Sequence, residues 1–241
     1  MQVLHWTFSN KFEQYYTQCM SEINQEIIWN YVHNIPNNLY CDYQGAHDPC
    51  PGANNFILYL NRDLSTGLAE IIAAHELTHH VLSCQGYPTV ALTALGNQNP
   101  AWATLSTHLM SSLEDVIIDK LLESVGFIDP TAIKGYNNVK RDLLTKGVIH
   151  FPPDGDAIRH NALGFLYLKY ALPSGKWKEL KTLYHKFQPD VYKMGIKLLK
   201  ICDSIGFDTS EKCFQCTVAM RDFLQLKHFM EIVNPVTMDR Y

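Results

Sequence analysis

Apolar positions in the first third of the chain follow two different spacings. Phe12, Tyr16, Cys19, Ile23, Ile27 and Tyr31 recur every three or four residues, the period of one helix face, and Asn10 with Glu13 can cap such a helix. The pattern carries the helix to Ile35-Pro36, where proline stops it. Residues 39–43 form a short extended candidate, and 45–55, rich in Gly, Pro, Asp and Asn, read as loop. Phe56-Ile57-Leu58-Tyr59-Leu60 is aromatic and branched enough for a strand. Ser65 or Thr66 then caps a helix that runs to about Cys84, with Gly86 and Pro88 beyond its end.

After an irregular stretch through 96–100, a second strong helical pattern covers 103–125 and closes at Gly126. Asp129-Pro130 opens the next one. From there helical spacing recurs over 130–145, 157–172, 177–187, 192–205 and 209–229, so the second half reads as all-helical. The expected class is therefore α+β, mostly helical, with a small sheet beside the helix at 66–84. No linker composition interrupts the chain. The expectation is one domain over 1–241, a core of 1–126 carrying a helical extension of 127–241.

Composition narrows the function classes. A chain of 241 residues with 46% hydrophobic and 18% charged side chains can bury a substantial core, which argues against disorder. No apolar run approaches the roughly 20 residues of a membrane helix, and the start lacks a basic segment followed by an apolar one, so a soluble, cytoplasmic protein is expected. A net charge of -4 leaves no electrostatic footprint for nucleic acid. The lysines between Lys176 and Lys200 read as solvated helix faces. Seven cysteines, an odd and scattered set, suit a reducing compartment. Cys213 and Cys216 form a single CxxC without a second pair, too little for a structural zinc.

The candidate chemistry lies in Ala74-His75-Glu76-Leu77-Thr78-His79. On a helix the two histidines, four residues apart, project from one face about one turn from each other, which suits two ligands on one metal. Zinc takes imidazole nitrogen at roughly 2.0–2.1 Å, and a catalytic site leaves its fourth position to water. Glu76, turned about 100° round the helix from His75, reaches that water without binding the metal. Leu68, Ile71 and Ile72 lead into the histidines and place them at the inner edge of a core-facing helix. Core histidines held by ordinary hydrogen bonds are the plain alternative. A third ligand is sought in Ser112-Leu113-Glu114-Asp115-Val116-Ile117-Ile118-Asp119, where three acids interrupt an apolar helix. A buried unpaired carboxylate is costly, whereas a metal-bound one is not.

An HExxH followed, thirty-five residues after its second histidine, by an acidic helix resembles the gluzincin metallopeptidases over roughly 56–125. The compact layout is also similar to minimal gluzincins and to regulatory peptidases that cleave repressors. The resemblance implies a zincin-like fold and one catalytic Zn2+. Its ligands would be His75, His79 and Glu114, with Asp115 as the alternative third ligand. Asp119 or Asp115 would support a histidine from behind. The spacing departs from the family's ExxxD, because Asp119 lies four residues after Asp115 but five after Glu114. A peptide or protein substrate would pair along 56–60 as a sheet edge. Zinc would polarise the scissile carbonyl and lower the pKa of bound water toward ~7, while Glu76 takes the proton and passes it to the leaving amine. Tyr136 and His160 are candidates for an oxyanion partner. His80 and His108 read as solvated or core residues.

The expected activity is a zinc-dependent peptidase. The same residues would serve a zinc hydrolase of a non-peptide substrate, and a zincin core could instead scaffold a catalytically weak regulatory or interaction protein. Glu76 favours an enzyme, since a scaffold has no use for a general base.

Overall fold

Ser9, one residue before the predicted cap, starts the first helix of the computed structural model, which describes residues 1–23, 25–32, 45–48, 55–149 and 156–241. Strands β1 (Gln2–Val3) and β2 (Trp6–Thr7) pair antiparallel as a small ribbon. Helix α1 (Asn10–Met20) follows, and the Ser9 hydroxyl accepts a hydrogen bond from the Phe12 amide at 3.2 Å. The helix does not continue to Pro36. The chain leaves it at Ser21, and Glu26–Val32 is strand β3. Ile23, Ile27 and Tyr31 are spaced by four, a step that fits a period of two as well as one of 3.6. The local run Ile27-Ile28-Trp29 with Tyr31-Val32 is compatible with a strand. The Ile35-Pro36 stop and the extended candidate at 39–43 lie outside the described residues.

Part of the expected loop is strand β4 (Gly45–Asp48), and the strand expected at 56–60 is β5 (Asn55–Asn61). The sheet order is β3-β5-β4. β5 runs parallel to β3, with Ile27 opposite Phe56, and antiparallel to β4, with Gly45 opposite Leu60. Strand 56–60 is therefore paired on both sides and is not the sheet edge expected for peptide addition. Phe56, Leu58 and Leu60 are buried while Ile57 and Tyr59 are half-buried, the alternation of a strand with one face on a core.

That core is completed by helix α2 (Thr66–Cys84), which packs on β4, β5 and α1 and buries Ala69, Ile72, Ala73 and Leu77. Two polar contacts fix α1 on α2. Glu70 accepts from the Ser9 amide at 2.8 Å and from its hydroxyl at 2.6 Å, and the Tyr15 and Thr78 hydroxyls meet at 2.5 Å. Glu70 thereby holds the start of α1 while the Ser9 hydroxyl caps it.

Strand β6 (Thr89–Leu92) precedes helices α3 (Pro100–Ser124), α4 (Thr131–Lys146), α5 (Ala157–Ala171), α6 (Ser174–Phe187), α7 (Pro189–Ile205) and α8 (Ser210–Phe223). These match the expected helices to within a few residues, except that α8 stops early. Strand β7 (Met230–Val233) follows it and pairs antiparallel with β6, Val90 opposite Ile232. The second half is thus not all-helical. Strands of four residues are too short to show a period, and their pairing partner is remote in sequence. The class is α+β, with eight helices among the described residues.

The chain forms two compact units, Met1–Gln85 with Ile118–Asp129, and Gly86–Ile117 with Pro130–Tyr241. The division falls inside α3 and not at a linker. In the second unit Leu105, Leu109 and Leu113 of α3 join a core built from α4 to α8. Phe165 sits at its centre, edge-on to Trp177 and Tyr184 with ring centres 4.6 and 5.0 Å away. Gly195 is required there, because the Phe165 ring occupies the space that a Cβ would need. No helix among the described residues is long and apolar enough to cross a membrane.

Candidate metal centre

In the first unit, α2 brings the two motif histidines together as its periodicity demands. Nε2 of His75 and Nε2 of His79 lie 3.2 Å apart, with ring planes inclined at 70°. Two nitrogens each about 2.05 Å from one tetrahedral zinc stand about 3.3 Å apart, so the pair fits a shared ion in spacing and in donor chemistry. The same spacing suits an imidazole–imidazole hydrogen bond, and metal stoichiometry separates the two readings. His79 is buried, and His75 and Glu76 are half-buried at the accessible margin of the helix. Behind the pair, Thr78 is locked, its hydroxyl donating to the Ala74 carbonyl at 2.6 Å while it also meets Tyr15.

His75 has an acidic neighbour that the sequence reading missed. Its Nδ1 faces Asp129 Oδ2 at 3.4 Å, and the Asp129 side chain is only 4% exposed. The turn after α3 delivers this carboxylate. Gly126 adopts φ 85°, a left-handed conformation that suits glycine, and the Phe127 amide bonds back to the Leu122 carbonyl at 2.9 Å. Phe127 is buried edge-on against Tyr15, and Lys11 donates to the Gly126 carbonyl at 2.7 Å. Asp129 escaped notice because Asp-Pro reads as a helix start, and a pairing between residues 75 and 129 leaves no local pattern. Asp119 joins the group: ligand atoms of His75, Asp119 and Asp129 all lie within 4.8 Å of one another.

The other expected site residues are placed differently. Glu114 and Asp115 lie on the part of α3 that belongs to the second unit. Glu114 is buried, and its charge is felt by Cys213 of α8, whose thiol pKa is pushed up by burial first and by Glu114 next. Asp115 is half-buried and stands one helical turn before Asp119, on the same face of α3. Glu114 is about 100° away from Asp115 round the helix.

Both oxyanion candidates belong to the second unit and are engaged there. Tyr136 donates to the Glu179 carboxylate, which also takes Lys140 at 2.7 Å, and this bond raises the phenol's pKa. His160 is buried against His108 with ring centres 3.5 Å apart. Burial pushes the His108 pKa down to about 4, and burial followed by the charge of His108 pushes His160 down to about 2. His80 stacks on Phe56 at 3.3 Å and meets Gln25 at 3.1 Å, away from the His75/His79 face as its position on the helix requires.

Comparison with family models, with curated proteins and with solved structures returns no match to this chain.

Proposed function

We propose that this chain is a zinc-dependent hydrolase, most simply a peptidase of gluzincin type, in which His75 and His79 hold the metal and Glu76 is the general base. The observation that carries the reading is the 3.2 Å convergence of the two Nε2 atoms on α2 with Glu76 between them in sequence. When bound, zinc would polarise a scissile carbonyl and acidify a water. Glu76 would accept that water's proton and return it to the leaving group. Asp129 would hold His75 through Nδ1, fixing the tautomer that leaves Nε2 for the metal. Within the first unit, Asp119 lies beside His75 and Asp129 and would offer the ion a carboxylate. Since β5 is paired on both sides, an extended substrate would align with β3 or β4, the outer strands of the sheet among the described residues.

The test combines metal content with activity. The chain should hold one equivalent of zinc, and His75→Ala should lose it. Glu76→Gln should keep the zinc and lose about 10²–10⁴-fold in hydrolysis of a peptide library. Full hydrolysis by the Glu76→Gln form would end the proposed mechanism, and no zinc in the wild type would end the metal reading altogether.

A further inference from the structure

The second unit carries a groove that the proposed chemistry does not use. It is a cavity of about 670 Å³ lined by one face of α8 and by the C-terminal stretch after β7. Phe214 and Val218, one turn apart and half-buried, form its floor. The Tyr241 ring closes one side with its centre 5.2 Å from that of Phe214. The far wall is held in place from beneath: Arg221, 2% exposed, donates to the Tyr241 carbonyl, and the Tyr241 and Ile232 backbones exchange two hydrogen bonds of 3.0 Å.

Charge at the rim has one sign. The ionisable carboxylates lining the groove are Glu211, Asp222 and Asp239, and no basic side chain among the described residues lines it. Asp222 is compensated by Arg221 at 2.7 and 2.9 Å. Glu211 and Asp239 accept from neutral donors, Gln215 at 3.3 Å and Thr237 at 2.7 Å, and no cation among the described residues pairs with them. From Ser210 to Asp222 the α8 face extends about 18 Å, the length of a three-turn helix.

We propose that this groove docks a basic amphipathic segment of a partner protein, with an apolar side chain seated on Phe214 and Val218 and lysine or arginine facing Glu211 and Asp239. Charge complementarity selects that occupant. A second copy of this chain meeting the groove about a two-fold axis would set its own acids against these acids, and an anionic lipid surface would be repelled. The groove lies within one unit, and its docking role is independent of the metal.

The probe is a fluorescent model peptide of about twelve residues with leucine on one helix face and lysine on the other, titrated with the full chain by anisotropy. It should bind, with affinity falling as salt rises, and its glutamate counterpart should not. The Glu211→Lys/Asp239→Lys double variant, altered only at exposed positions, should weaken binding at least about tenfold, as should Val218→Lys. His75→Ala should bind as the wild type does, so failure of the metal reading and failure of this one remain separable. Equal binding of both peptides, no binding of the lysine peptide, or unchanged affinity in both variants overturns the proposal. A wild-type dimer that Val218→Lys converts to monomer in sedimentation would assign the groove to a second copy and overturn it as well.

Discussion

Acid should destabilise the second unit well above the pH at which carboxylates titrate, because two histidines are held neutral in it. His108 and His160 face each other with ring centres 3.5 Å apart, and their pKa values fall from 6.5 to about 4 and about 2. Both folded values lie below the unfolded one. The unfolded chain therefore binds more protons through the window below 6.5, and stability that is complete above that pH is lost as the pH drops through it. At pH 5 the unfolded histidines are almost fully charged while the folded pair stays largely neutral. Each ring then favours unfolding by about 2 kcal/mol relative to pH 7, taking about 1.36 kcal/mol per pKa unit. The pair gives about 4 kcal/mol as a ceiling, since the accessible edge of half-buried His108 admits some water. That is a large share of the roughly 5–15 kcal/mol that holds a domain folded.

Urea unfolding followed by amide exchange in α5 reports on this unit directly. The wild type should lose stability steeply between pH 7 and pH 5. A His108→Gln/His160→Gln variant, less stable at pH 7, should lose up to about 4 kcal/mol less over the same interval. Parallel pH profiles for the two proteins would refute the reasoning, since the rings would then titrate alike in folded and unfolded chains.

Asp119→Asn should weaken zinc binding in a chelator competition, and an unchanged affinity would remove Asp119 from the proposed metal group. Asp129→Asn should cost about 10–100-fold in zinc affinity with the metal still bound at one equivalent, as expected for a residue that orients a ligand without touching the ion. Glu70→Ala strands the Ser9 amide and hydroxyl and should destabilise the first unit by about 1–3 kcal/mol, read from its denaturant midpoint. Glu70→Gln should recover part of that loss.

Much of this architecture is written locally. Residues 66–84 carry a helix-long apolar stripe with glycine beyond its end, and 56–60 carry the dense apolar content of a strand buried on one face, so both were legible in sequence. What failed was long-range or short. Ile23, Ile27 and Tyr31 satisfy both periods, and only pairing with β5 settles the segment as strand. β6 and β7 are four residues each and owe their structure to each other across most of the chain. The place of β5 in the middle of its sheet follows from which strands flank it, and no property of 56–60 encodes that. The candidate metal site divides in the same way. His75, Glu76 and His79 sit within two helical turns and are fixed by period alone, whereas Asp129 reaches His75 only because Gly126 and Phe127 turn the chain back.

The acids of α3 show how the register of a helix sorts like residues. Leu105, Leu109 and Leu113 step along one face of α3 into the core of the second unit. Glu114 is only about 100° from Leu113 round the axis, close enough to be drawn into that core, where it is 7% exposed and its charge bears on Cys213. Asp115 is about 200° from Leu113, half-buried and one turn before Asp119. A motif read by residue type does not distinguish the two, whereas the leucine stripe does. Rotating α3 by one position would expose three buried leucines, each worth about 1.5–3 kcal/mol, so the stripe fixes which acid is buried.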